Sequence, residues 1–145
     1  MTSRGPVLAL DYGSRRIGMA ISDPEGEFAF PAGVLDRRGL AQDLAALTEV
    51  VREREVTRVV VGLPMHLDGR KGPEAEAASR FAAAVGEATA LPVDLLDERW
   101  TTREAERALR AVQPRRKKRE KAKLDAAAAT LLLRTYLERE RNAPA

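Results

Sequence analysis

Three acidic positions, far apart in the chain, lie beside apolar segments where a carboxylate is unusual. Asp11 ends one apolar run, Asp97 and Glu98 end another, and Asp125 lies in a predicted apolar helix. Charged residues are rarely buried unless they are paired or bind a metal. Carboxylates that converge repel one another, and a divalent cation relieves that repulsion. These residues therefore suggest a metal site.

Strand geometry indicates which of these side chains can converge. Asp11 ends a strand predicted over 6–12, and the strand predicted over 93–96 leads into Asp97 and Glu98. Ligands of open α/β sheets gather beyond the carboxyl ends of the strands. Because successive strand residues point to opposite faces, only one of Asp97 and Glu98 is expected to reach such a site.

Asp125 falls at the edge of the apolar face of a helix predicted over 124–139. At about 100° per residue, it projects between Leu132 and Tyr136. Two local roles compete with metal binding. As the second residue of this predicted helix, Asp125 could instead favour the macrodipole, and Asp11 could form an Asx turn before Tyr12 and Gly13.

The elements that must position these residues follow the order β-β-β-α-β-α-β-α-α. The first two strands are expected to form an antiparallel hairpin, and strands separated by helices are expected to pair in parallel through right-handed crossovers. The pattern predicts an α/β fold, a mixed five-stranded sheet with helices on both faces, in a single domain over 1–145. The predicted strands are 6–12, 16–22, 27–35, 59–61 and 93–96, and the predicted helices are 40–51, 73–88, about 101–112 and 124–139.

Composition excludes several classes of protein. The 145 residues include no cysteine, which excludes disulfides and thiolate zinc sites. No run of about 18 apolar residues predicts a membrane span, and no apolar signal segment begins the chain. We expect a cytoplasmic protein that does not contact membranes.

Positive charge is concentrated in one segment, 115–123, which has seven basic residues and one acidic residue, a net charge of +6. The rest of the chain carries 18 basic and 21 acidic residues, a net charge of −3. This asymmetry predicts a polyanion partner that is contacted at one place, although a solvated charged loop would give the same pattern. The candidate nucleic-acid-binding residues are Arg16, Arg115, Arg116, Lys117, Lys118, Arg119, Lys121 and Lys123.

Four motifs, in order along the chain, resemble the YqgF/RuvX family of Holliday junction resolvases and pre-16S rRNA nucleases. They are Leu-Asp-Tyr-Gly at 10–13 with Arg-Ile-Gly-Met-Ala at 16–20, Val-Gly-Leu-Pro at 61–64 with Asp-Gly at 68–69, Asp-Glu-Arg-Trp-Thr-Thr at 97–102, and Lys-Leu-Asp-Ala-Ala-Ala at 123–128. Each motif alone is weak, but four in this order are specific.

The resemblance implies an RNase H-like fold and an acidic triad of Asp11, Glu98 and Asp125, which serve as both catalytic residues and metal ligands. It further implies phosphodiester hydrolysis with two Mg²⁺ or Mn²⁺ ions roughly 3.5–4 Å apart, with Asp11 bridging both ions. The substrate is then precursor 16S rRNA, branched DNA or both. Junction cleavage would suit a homodimer that makes paired nicks.

Two other classes remain open at the level of sequence. The chain could be a non-catalytic RNA-binding or ribosome-binding module whose carboxylates are structural. Alternatively, the turn 11–14 resembles the phosphate-binding turn of ATP-binding proteins of the actin and sugar-kinase type, which normally need two lobes and a longer chain.

Overall fold

The computed structural model describes residues 4–100 and 118–142. Its five strands are β1 (Val7–Tyr12), β2 (Arg16–Ser22), β3 (Ala29–Asp36), β4 (Arg58–Leu63) and β5 (Val93–Asp97). They form one sheet in the order β3-β2-β1-β4-β5. β2 pairs antiparallel with both β1 and β3, whereas β4 pairs in parallel with both β1 and β5. The predicted mixed five-stranded sheet is confirmed.

Two helices, α1 (Leu40–Glu53) and α2 (Pro73–Thr89), cover one face of the sheet. Leu10 of β1 and Val61 of β4 belong to the same buried cluster as Leu47 of α1 and Phe81 of α2. Alternate residues of the central strands thus supply one layer of the core, as the pleat of a strand requires.

The opposite face is covered by the long helix α3 (Lys118–Asn142). Ala9 and Val60 cluster there with Leu132 and Leu133 of α3. Burying a Leu or Val side chain completely contributes about 1.5–3 kcal/mol, so α3 is anchored mainly by this apolar contact. The prediction that helices cover both faces of the sheet is confirmed.

α3 differs from the helix predicted over 124–139, because it begins at Lys118 and ends at Asn142. Residues 118–123 are Lys, Arg, Glu, Lys, Ala and Lys, which are all strong helix formers. The sequence pattern did not predict this part of the helix, because residues 118–123 show no apolar periodicity. Residues 118–123 of the basic segment are therefore helical and do not form the solvated loop that the charge pattern also allowed.

β3 begins two residues later than predicted for a local reason. The Asp23 carboxylate accepts hydrogen bonds from the backbone N–H groups of Glu27 and Phe28, both at 2.8 Å. These donors serve the turn after β2 and cannot join a strand ladder. The helix predicted over 101–112 lies outside the described residues. Among the helices of 4–100 and 118–142, none is both long and apolar enough to cross a membrane.

Candidate active site

Asp11 lies at the carboxyl end of β1, on the face of the sheet that α3 covers. Its side chain points to the same face as that of Ala9, two residues earlier, which packs against α3, and Asp11 is only 3% exposed. The apolar run before Asp11 makes β1 a buried central strand, and the Asp11 carboxylate is buried with it. Asp11 is thus a buried acid where the sequence predicted one.

Gly18 of β2 brings α3 close to Asp11. Gly18 is the cross-strand partner of Asp11, and paired residues point to the same face. A Cβ atom added at Gly18 would lie 2.2 Å from the backbone oxygen of Asp125. Only glycine therefore allows α3 to approach this closely. Asp11 and Asp125, 114 positions apart in the chain, both lie next to Gly18.

Asp125 is 9% exposed and lies in the body of α3. It is the eighth residue of the helix, so the macrodipole role considered for a first-turn residue does not apply. Its Oδ2 atom accepts a hydrogen bond from Nε of Arg16 at 2.7 Å. Arg16 was predicted to contact nucleic acid, and in this structure its guanidinium contacts Asp125.

Asp97 and Glu98 have different surroundings, and Glu98 lies beyond the end of β5. Glu98, in the single 3₁₀ turn Glu98–Trp100 after β5, is 1% exposed. Asp97 instead accepts hydrogen bonds from Nε and Nη2 of Arg99. These hydrogen bonds hold the pKa of Asp97 below its ordinary value, against the opposing effect of its partial burial. Glu98 is therefore the buried acid of the pair.

The parallel strands bring Asp11 and Glu98 to the same edge of the sheet. β1 and β5 both pair in parallel with β4, so their carboxyl ends lie together. Asp11 is next to the end of β1, and Glu98 directly follows β5. The site is consequently assembled from β1, from the turn after β5 and from α3.

The donor set suits a hard divalent cation, because it consists of carboxylate oxygens. Within 4–100 and 118–142, no three Asp, Glu or His side chains are grouped closely enough to hold a metal ion. One carboxylate oxygen of Asp125 accepts a hydrogen bond from Arg16, whereas in a metal cluster it would face the metal ion.

The predicted basic surface is described only in part. Lys121 is half-buried and Lys123 is exposed, both on α3 just before Asp125. Lys118 and Arg119 belong to the first turn of α3. The remaining candidates, Arg115, Arg116 and Lys117, lie outside the described residues.

The sequence did not predict that Arg37 would bind the turn between β1 and β2. Nη1 of Arg37 donates to the backbone oxygens of Gly13 at 2.9 Å and Ser14 at 3.1 Å. The guanidinium carbon also lies 4.3 Å from the centre of the Tyr12 ring, which stacks on Phe81. Arg37 thus fixes the turn that joins Asp11 to Arg16. No motif marks it, because its partners are backbone carbonyls and a ring.

A fourth buried acid, Asp43, has a purely local role. It is 3% exposed, and its carboxylate accepts the backbone N–H of Arg38 at 2.9 Å, just before α1. Acidic residues near a helix N-terminus are common for this reason. Burial of a carboxylate alone does not mark a functional site in this chain.

Solved structures identify the class of the fold. RuvC of T. thermophilus in complex with a Holliday junction superposes with a TM-score of 0.61 over 95% of this chain and 96% of that chain, at 15% identity. RuvC of Thermus thermophilus in a second structure gives a TM-score of 0.59 over 94% of this chain and 95% of that chain, also at 15% identity. The fold is RNase H-like.

Sequence comparison identifies the family. Residues 5–139 match the family described as RuvX, Holliday junction resolvase, and the chain belongs to this family. A Koribacter versatilis protein named "Putative pre-16S rRNA nuclease" is 45% identical over 93% of this chain and 88% of its own. A Chloroflexus aurantiacus protein of the same name is 41% identical over 95% of this chain and 90% of its own. The family description and the names of both relatives are those of nucleases.

Proposed function

We propose that this chain is a divalent-metal-dependent nuclease that hydrolyses phosphodiester bonds in precursor 16S rRNA, in branched DNA or in both. The observation that carries the proposal is the arrangement of Asp11, Glu98 and Asp125. All three are buried, they come from three different elements, and two of them flank Gly18. Carboxylate oxygens are the ligands that a hard divalent cation prefers.

Asp11, Glu98 and Asp125 would hold Mg²⁺ or Mn²⁺ through their carboxylate oxygens. Such an ion, when bound, activates water at neutral pH and stabilises the leaving oxygen of a phosphodiester. The chain's own contribution is to orient these carboxylates and to shield them from bulk water. No side-chain nucleophile is required, which suits a chain with one histidine and no cysteine.

The basic segment 115–123 would contact the phosphate backbone next to this site. Lys123 lies two residues before Asp125, so a strand bound along the start of α3 would pass beside the carboxylates. Contacts to phosphates position a nucleic acid without reading its sequence. We therefore expect recognition to depend on the shape and charge of the substrate.

Replacing Asp11 or Asp125 by Asn tests the proposal. Each change keeps the size of the side chain and removes one charged ligand. Mutation of a residue that only supports a metal ligand costs up to about a hundredfold in activity. Loss of a ligand itself should therefore reduce cleavage by at least about a hundredfold. The measurement is cleavage of a labelled precursor 16S rRNA end and of a four-way DNA junction, side by side, in Mg²⁺ and in Mn²⁺.

Asp43→Asn is the matched control, because it makes the same change at a buried acid whose role is local. It should retain activity, since an Asn side chain can still accept the N–H of Arg38. Full activity of Asp11→Asn would refute the mechanism. Binding of both nucleic acids without cleavage by the unaltered protein would instead favour a non-catalytic binding module. A preference for one substrate would choose between RNA processing and junction resolution.

A further inference from the structure

Arg16 is built into the site. It begins β2, its backbone oxygen accepts the N–H of Gly13 at 2.9 Å, and it lies two residues before Gly18, on the face that α3 covers. Its side chain is 17% exposed and that of Asp125 is 12% exposed, so their 2.7 Å contact is largely shielded from water. The antiparallel pairing of β2 and the close approach of α3 hold both partners in place.

The Asp125 carboxylate therefore already has a cation beside it. An ion pair that is partly removed from water is screened weakly, so its partners hold each other more firmly than an exposed pair would. A guanidinium and a divalent metal ion are both attracted to the same carboxylate oxygens. The absence of a compact group of three acids among the described residues agrees with an Asp125 that is bound to Arg16.

We propose that Arg16 competes with the divalent metal for Asp125, and that a phosphate of the nucleic acid relieves the competition by drawing the guanidinium away. The inference rests on the proposed function. Guanidinium groups bind phosphate in the same bidentate manner as carboxylate. Arg16 would then couple the two ligands, because a substrate that takes Arg16 makes Asp125 available to the metal, and linkage makes the effect reciprocal.

A different role for Arg16 predicts the opposite sign. If Arg16 only oriented Asp125 toward a metal through the other carboxylate oxygen, its removal would weaken metal binding. If it competes, its removal strengthens metal binding. The sign of one measured change therefore separates a competitor from a positioning residue.

The experiment is titration of Mn²⁺ into the full chain without nucleic acid, with free Mn²⁺ followed by its electron paramagnetic resonance signal. Arg16→Met should bind Mn²⁺ about tenfold more tightly than the unaltered protein, as expected for removal of a hydrogen bond between charged groups. Arg16→Lys keeps the charge without the planar fork and should fall between the two. Thermal unfolding with and without Mn²⁺ gives a second readout, because Mn²⁺ should raise Tm more in Arg16→Met.

Arg15→Met is the matched control, since it removes the same charge from an exposed side chain one residue away. Its Mn²⁺ affinity should change less than about twofold, because exposed charges are screened. Weaker or unchanged binding in a folded Arg16→Met protein, with Mn²⁺ still bound by the unaltered chain, would overturn the inference alone. Failure of every variant and of the unaltered chain to bind Mn²⁺ would overturn the proposed metal chemistry as well.

Discussion

Asp97 and Glu98 are neighbours whose carboxylates meet opposite surroundings. Glu98 is buried at the sheet edge, whereas Asp97 turns to Arg99. The Nη1 atom of Arg99 also reaches the backbone oxygen of Leu67 at 3.4 Å. The pair thus joins the end of β5 to the loop after β4, and this link restrains the turn that carries Glu98.

Replacing Asp97 by Asn should lower the free energy of unfolding by about 1 kcal/mol near neutral pH, since the substitution removes a partly buried ion pair with several hydrogen bonds. Because the folded-state pKa of Asp97 is lowered, its contribution is complete above the ordinary carboxyl pKa of 3.8 and is lost as pH falls through the lowered value. Urea unfolding at pH 7 and at pH 3 measures this. The difference between the two proteins should shrink at the lower pH.

Asp68→Asn is the control for that prediction, because Asp68 forms an ion pair with Arg70 at the same spacing along the chain. Both side chains of this second pair are exposed, so the substitution should leave the free energy of unfolding essentially unchanged. An equal effect of the two substitutions would show that burial of the Asp97 pair contributes nothing to stability.

At the scale of elements, the contact of α3 with β2 decides where Asp125 lies. Gly18→Ala should lower the free energy of unfolding by about 1–3 kcal/mol, because the new methyl group would overlap the α3 backbone at Asp125 and must push the helix away. The same shift should separate Asp125 from Asp11 and reduce cleavage. Urea unfolding and the cleavage assay with Mg²⁺ measure the two effects.

Gly86→Ala in α2 provides the comparison. Its new Cβ would lie 3.3 Å from a methyl carbon of Val93, which is tight but movable, and alanine favours the helix. Stability and activity should both stay close to those of the unaltered protein. Loss of activity in Gly86→Ala, or full activity in Gly18→Ala, would contradict the role assigned to the packing of α3 on β2.

Most elements were predictable because their signals are local. The buried strands β1 and β4 contain continuous apolar runs that are closely followed by Gly, and the hairpin turn is short. The start of α3 was not predictable from periodicity, since its first turns are charged on every side. The hydrogen bond from Arg16 to Asp125 could not be predicted from the sequence. Its partners are 109 residues apart, and it depends on how closely α3 approaches Gly18.

At the scale of the whole molecule, charge is divided between an acidic body and one basic segment. Replacing Arg115, Arg116, Lys117, Lys118 and Arg119 by Gln should weaken binding to nucleic acids of every sequence. The slope of log affinity against log salt should become shallower by about 0.7–0.9 for each phosphate that the variant no longer neutralises. Fluorescence anisotropy with labelled RNA and DNA at several salt concentrations measures both changes.

A control with the same change in charge replaces five exposed arginines elsewhere by Gln. These are Arg4, Arg52, Arg54, Arg80 and Arg134. Its salt slope should stay near that of the unaltered protein, because dispersed surface charges bind few phosphates directly. Equal slopes for the two variants would mean that net charge, and not the basic segment, governs binding.

The order of synthesis gives the position of α3 a further consequence. When the ribosome has made the chain only as far as β5, the sheet and the layer of α1 and α2 can already form, but the face of Ala9, Val60 and Leu96 has no cover. That apolar surface is exposed to chaperones and to other chains until α3 emerges. The helix that closes this face also carries Asp125. The candidate site should therefore be completed only after the sheet has formed.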